Sequence, residues 1–511
     1  MRVRHRVWIV LGVLGAALGA GAARAQDLAA FEKRVTVKTL PNGLTVILCE
    51  RHEAPVVSFY THVDVGADRE YPGITGLAHM FEHMAFKGTE SNDLGSKNWQ
   101  AEKVALAKVE TAYAAYDRER RKEFGSDPQK VAELEKAWKN AMDEAGKYVD
   151  EHAFDKIVEE NGGEGMNAST DSEETVYIYS FPSNRIELWA YLESERFLHP
   201  VMREFYKERD VVYEERRMRT DSNPQGRLFE QFLGTAFIAH PYGRPVVGWP
   251  SDLESFSATD AKHFFDEYYV PADMVIAVVG DFKTSEVIPI VEKYFGRLPK
   301  RPKPEPLATV EPPQGAQRTV VLHEASQPIY IEGYHKPSAL NTKTEPVFDA
   351  MQDLMSDGRT SRLYRSLVRD KKIAAFAGGF NDFPGVKYPD LFVFYAVPTP
   401  GHTPEEMGKA MHEEIERLKT QDISDEELKM IKTRVKADLL RSLDSNMGLA
   451  QQFATAEAIF GDWREFFHEV DRIDKVTKAD IRRVAGETFV DSNRVVGILD
   501  TAPTAGKERM Q

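Results

Sequence analysis

The alternation of polar and apolar positions changes period along this chain. Val35 to Lys38 and Thr45 to Leu48 are short strand-like runs on either side of Leu40-Pro41-Asn42-Gly43-Leu44, a tight-turn sequence. Val56 to Val65 is a longer strand-like run that ends at Gly66. From Gly76 to Phe86 the spacing becomes helical. At about 100° per residue His79, Glu82 and His83 share one side, and Leu77, Met80, Phe81 and Met84 take the other. Thr75 stands where a helix cap is expected and Gly88 where the helix should stop. Trp99 to Phe124 then places Val109, Tyr113 and Tyr116 at helical spacing among Lys, Glu and Ala; Gly125-Ser126-Asp127-Pro128 interrupts it and Lys130 to Tyr148 resumes it. The pattern predicts a helical hairpin over about 97–150, projecting from a globular body with a solvated charged surface. A lid or a partner-binding arm are the functional alternatives for it.

Further on, Gly162, Gly163 and Gly165 precede Met166 to Thr170, and Thr175 to Tyr179 reads as a strand. Asn184 to Arg196 is an amphipathic helix carrying Ile186, Leu188, Trp189 and Leu192, and Glu204 to Thr220 is a charge-rich one. Met274 to Gly280 is apolar throughout, as a strand buried on both faces is. Pro299, Pro302, Pro304, Pro306, Pro312 and Pro313, with Lys300, Arg301 and Lys303 between them, predict a stiff, exposed linker over 299–316. It divides 26–298 from 317–511. The two parts look related. Shifted by 220 positions, Phe489 to Asn493 falls on Tyr269 to Asp273, Thr477 on Ser257, and Ile473 and Val476 on Leu253 and Phe256. In both places a capped helix runs into a buried strand. The expected fold is therefore α+β: two homologous domains, each a mostly antiparallel sheet packed with helices, joined by the proline-rich linker. The second part has nothing like the His79, Glu82, His83 pattern.

Composition narrows the function. The formal charge of the 511-residue chain is −15. Residues 1–25 combine a basic start, a short apolar run from Val7 to Leu18 and the small-x-small sequence Ala23-Arg24-Ala25, which predicts a cleaved secretory signal and an exported, most simply periplasmic, protein. Its four arginines leave with it, taking the charge to −19. Such a surface argues against nucleic acid or an anionic membrane as partner. Cys49 is the only cysteine, so no disulfide forms within the chain, and its apolar setting predicts a packed thiol and no cysteine nucleophile.

The remaining candidate chemistry is metal-dependent. Histidines at i and i+4 supply two zinc ligands from one helix face, and a catalytic zinc takes three protein ligands and keeps a fourth position open. Glu82, beside them, is placed to take a proton from water and pass it to a leaving amine, as peptide hydrolysis requires.

His79-x-x-Glu82-His83 is the reversed zinc motif of the inverzincins. Together with Leu40 to Leu44, Gly76 to Gly88, Asn167-Ala168-x-Thr170 leading into Thr175-x-Tyr177, and His240-Pro241-Tyr242-Gly243, it makes nearly the whole mature chain resemble the pitrilysin, insulin-degrading enzyme and mitochondrial processing peptidase family. The resemblance implies a clamshell of two halves, one zinc per chain, Glu215 as third ligand and Glu208 as the acid that orients the site. Helix geometry agrees that Glu208 and Glu215, seven apart, share a face, whereas Glu214 points about 100° away. The resemblance also implies that substrate adds as a strand at Asn167 and Ala168, and that Arg369 holds the substrate carbonyl. His240 reads as structural. Two departures stand out. His83 and Glu215 are 132 residues apart, lengthened by the hairpin, and Phe376 stands where the family often has a tyrosine. The expected activity is hydrolysis of peptides or unfolded segments. Rivals are a catalytic subunit needing a second copy or a related subunit, and a non-proteolytic zinc-binding assembly protein, against which the intact Glu82 argues.

Overall fold

A computed structural model describes residues 32–501; the expected signal segment lies outside the described residues. The strands are β1 (Val35–Thr39), β2 (Thr45–Glu50), β3 (Val56–Val63), β4 (Glu164–Thr170), β5 (Thr175–Pro182), β6 (Met274–Gly280), β7 (Arg318–His323), β8 (Ile329–Lys336), β9 (Ala374–Phe383), β10 (Asp390–Pro398) and β11 (Arg494–Asp500). The helices that matter below are α1 (Leu77–Met84), α2 (Trp99–Arg120), α3 (Pro128–Gly146), α4 (Ile186–Leu198), α5 (Phe205–Arg216), α6 (Pro224–Ala236), α7 (Ala258–Tyr268), α8 (Glu345–Ser356), α9 (Asn446–Phe460) and α10 (Lys478–Thr488).

Six strands form one sheet in the order β1-β2-β6-β3-β5-β4, and five form a second in the order β7-β11-β8-β10-β9. Omitting β1, the two orders correspond strand for strand. In each sheet one pair is parallel, β2 with β6 and β7 with β11, and the rest are antiparallel. The repeat visible at a shift of 220 is this correspondence. Ser257 with Asp260 and Thr477 with Asp480 form the same capping box at the starts of α7 and α10. Each helix then leads through a short helical turn, Pro271–Asp273 or Asp491–Asn493, into β6 or β11.

Each half also covers the other's sheet. Helix α9, from the second half, lies on β3 and β6. It brings Leu449, Phe453 and Ala454 against Ile47, Cys49, Val275 and Val279. In return α6 lies on β7 and β11, setting Leu228 and Phe232 against Ile331, Val393 and Val495. All of β6 is buried, because α9 covers the face that the first half's own helices do not. Cys49 sits in this shared core, and burial pushes its thiol up to about 11, so it is a packing residue.

Within residues 97–150, α2 and α3 pack on each other as a hairpin anchored along its length. Tyr113 and Trp138 pack on Tyr206 of α5, Tyr116 stacks on Trp138, and the Arg209 guanidinium lies over the rings of Tyr113, Tyr206 and Trp138. Arg203 and Glu102 form a buried pair at the base, 2.6 Å apart. The 299–316 segment has neither helix nor strand, and ion pairs fasten it to the first half. Lys303 lies 2.9 Å from Asp273, and Glu311 accepts from the backbone N–H groups of Ile238, Ala239 and His240.

Candidate metal centre

Helix α1 is presented by its N-terminus. The expected cap, Thr75, is used otherwise: its hydroxyl donates to Asp252 and accepts from Trp249 N–H. Gly76 takes the cap position with φ 95°, and Glu70 accepts from the N–H groups of Gly76 and Ala78. A carboxylate there suits the positive end of a helix. Leu77, Met80, Phe81 and Met84 are buried in the first core, as their spacing predicts, which turns His79, Glu82 and His83 toward α5 and β4.

Helix α5 supplies the third group. Glu215 Oε1 lies 3.7 Å from His79 Nε2, and Glu215 Oε2 lies 3.4 Å from His83 Nε2. One ligand atom from each of the three falls within 4.8 Å of the others. Tetrahedral zinc with bonds of about 2.0–2.1 Å needs neighbouring ligand atoms roughly 3.4 Å apart, so this donor set and spacing fit the metal. Burial and the neighbouring charges of His83 and Arg219 push the His79 imidazole down to about 3. It is therefore the neutral ligand form at neutral pH. Behind His83, Glu208 Oε2 is 3.4 Å from Nδ1, which leaves Nε2 to face Glu215. Burial works to raise the Glu208 carboxyl, but hydrogen bonds from His83 and Lys87 outweigh it and hold it below the usual range. Burial raises the Glu82 carboxyl, and a hydrogen bond from Thr170 partly opposes this. A partly desolvated carboxylate is a better base than one in water.

The triad opens on a cavity of about 1170 Å³ whose wall includes Glu82, Asn167, Ala168 and Thr170. Asn167 and Ala168 lie on β4, the outer strand of its sheet; they pair with Ile178 and Tyr177 of β5, and among the described residues no strand neighbours the other edge of β4. The same two residues, with Glu82 and His83, border a second cavity of about 570 Å³ reaching the hairpin base at Val149 to Asp155. From the second half, Phe383 and Pro384 line the larger cavity. Arg369 is not among the residues lining either cavity; it is exposed and paired with Asp370 at 2.6 Å. Phe376 stacks on Tyr395 with ring centroids 4.8 Å apart. His240 accepts from Tyr242 N–H within a cluster of aromatic rings, as a structural residue does.

Two charged neighbours escaped the sequence reading. Lys87 is paired with Glu208, and Arg219 is 2.8 Å from Glu215. The i,i+4 spacing of Glu215 and Arg219 was the available signal, but such pairs are common on charged helices.

Comparison with known proteins agrees with this geometry. The family model described as Insulinase (Peptidase family M16) matches residues 45–116 and 138–249, passing over the outer part of the hairpin, and the Peptidase M16 inactive domain matches 255–435. The zinc protease PqqE of Helicobacter pylori is 28% identical over 471 residues, covering 90% of this chain and 91% of the relative. A probable mitochondrial-processing peptidase subunit beta of Schizosaccharomyces pombe is 25% identical, covering 90% of each chain. The crystal structure of a protease from Helicobacter pylori superposes with a TM-score of 0.75 at 27% identity, over 91% of this chain and 99% of that one. With both halves matched in order, the reversed motif on α1 and the donors assembled beside it, the chain belongs to the insulinase family of peptidases, M16.

Proposed function

We propose that this chain is an exported, periplasmic zinc metalloendopeptidase that hydrolyses peptides or unfolded polypeptide segments. The observation that carries the reading is the convergence of His79, His83 and Glu215 at ligand spacing beside an unpaired strand edge. When bound there, zinc polarises the attacking water and the scissile carbonyl. Glu82 takes the proton from that water and hands it to the departing amine. Glu208 holds the His83 ring in the ligating tautomer. A substrate segment pairs with the free edge of β4 at Asn167 and Ala168, so backbone hydrogen bonds supply much of the recognition and side-chain demands are loose. The curated relatives named zinc protease support the metal and the activity. Among the described residues no helix is long and apolar enough to cross a membrane.

The test is zinc content and peptide-library cleavage, measured on the protein and on Glu82→Gln. The variant should retain its zinc and lose about 10²- to 10⁴-fold in cleavage. Equal cleavage by both would end the reading. A second reading, a catalytic subunit completed by another chain, is favoured by one observation: among the described residues, the second half lends the larger cavity only Phe383 and Pro384 and no hydrogen-bond-donating side chain. Activity that appears only on mixing with a related subunit, or a native mass of two chains, would select it.

A further inference from the structure

Peptide hydrolysis places negative charge on the carbonyl oxygen as the water adds, and the site must aim a donor at that oxygen. Two guanidinium groups line the larger cavity, Arg219 and Arg244. Arg244 is committed to the backbone carbonyl of Glu70. Arg219 is different. Its side chain is 72% exposed, and its ion-pair partner is Oε1 of Glu215 at 2.8 Å. That oxygen is the one facing His79, so the cation stands one carboxylate away from the metal position. It is carried by Arg217–Asp221, where the helix of Glu215 widens into a looser turn; such turns recur at functional sites.

We propose that Arg219 is a catalytic residue that donates to the scissile carbonyl oxygen as its charge develops. The inference rests on the metallopeptidase reading above. A guanidinium has five N–H donors, and one pairing with Glu215 leaves others for substrate. Once Glu215 is shared with a metal, its hold on Arg219 weakens while the fixed helical spacing keeps the group nearby. The charge also suits the surroundings. Glu82, Asp171, Asp210, Glu214 and Glu230 face the same cavity, and without a cation they would disfavour an oxyanion. With no donor side chain from the described residues of the second half on this wall, the electrophile comes from the helix that supplies the ligand.

Merely orienting Glu215 is the competing role, and the experiment must separate the two. Arg219→Gln and Arg219→Lys are compared with the parent protein for zinc affinity by chelator competition, and for kcat and KM on one peptide. In a Glu82→Gln background, binding of the uncleaved peptide and of a phosphinic peptide, a tetrahedral mimic, is measured at saturating zinc. For Arg219→Gln, zinc affinity, KM and plain-peptide binding should stay within about threefold, while kcat falls roughly 10²- to 10³-fold and phosphinic-peptide affinity falls with it. Arg219→Lys should recover part of both losses, since an ammonium keeps the charge without the planar fork. A drop in zinc affinity of tenfold or more with undiminished phosphinic-peptide binding would make Arg219 a positioning residue and overturn the proposal. So would an unchanged kcat in Arg219→Gln. Parent protein that binds no zinc and cleaves nothing would instead overturn the underlying reading.

Discussion

The two halves put different chemistry in one place. In the first, α1 follows β3 and meets the outer strand β4; in the second, α8 follows β8 and meets the outer strand β9. Among the described residues, the two groups with three ligand-type side chains within 4.8 Å of one another lie at these two junctions. His79 and His83 of α1 meet Glu215, whereas Glu345 and Asp349 of α8 meet Asp382 of β9. The second junction carries its own cation. Lys336, with a wholly buried side chain, pairs with Glu345 at 2.9 Å, Asp382 at 2.7 Å and Asp390 at 3.3 Å. The first has two imidazoles and a carboxylate beside a large cavity, with an exposed arginine, Arg219, on the carboxylate's outer side. A cluster of this kind must be neutralised to exist in a low dielectric. The second half does so with its own lysine, whose ion pairs tie three carboxylates together; in the first, the proposed zinc would take that part.

The strongest way to break this comparison is to remove a donor. Glu215→Gln should take bound zinc from about one per chain to near none after dialysis against a mild chelator, with the rest of the fold intact by circular dichroism. Retained zinc would mean the donors are elsewhere.

Next in size is the buried lysine. Lys336→Met leaves three carboxylates facing one another and should cost about 3–5 kcal/mol of stability. Urea unfolding should report the loss while zinc per chain stays unchanged.

A smaller effect concerns pH. Burial and the neighbouring Asp382 push the Glu345 carboxyl up to about 7, despite the opposing pull of Lys336, and burial pushes Asp390 up to about 10. Both folded values exceed the unfolded ones. The folded state thus holds more protons, and stability falls as pH rises from about 4.5 through 7 for Glu345. Glu345→Gln should flatten the stability profile in that window; an unaltered slope would show that Glu345 is ionised in the fold.

Phe376→Tyr should change least. The ring stacks on Tyr395 and does not line the cavity, so restoring the hydroxyl common in the family should leave cleavage within about twofold. A large gain would mean that β9 closes onto the site during turnover.

Much of the fold was legible because its signals are local. The helical period of Leu77 to Met84, the turn at Asn42-Gly43 and the helix caps at Ser257 and Thr477 each act over a few residues, and each is found in the structure. Thr75 misled because a capping hydroxyl is preferred only when nothing better is near, and Glu70 with Gly76 does the task while Asp252 draws Thr75 away. The aromatic residues of the hairpin were visible at helical spacing, but the Arg209 and Tyr206 that receive them lie far along the chain. Arg369, drawn in by resemblance, stands in an exposed pair with Asp370.

By itself, then, the sequence picked out the face of α1 that carries His79 and His83, Glu82 beside them and the recurrence of the two halves, since spacing within one helix and recurrence along one chain need no third dimension. Tertiary structure decided which acid lies beside the two imidazoles, which strand among the described residues ends the sheet next to them and which cation lies close to that acid. Those choices depend on distances between groups separated by up to 132 residues from His83 to Glu215, and only packing of α5 against α1 brings them to 3.4 Å.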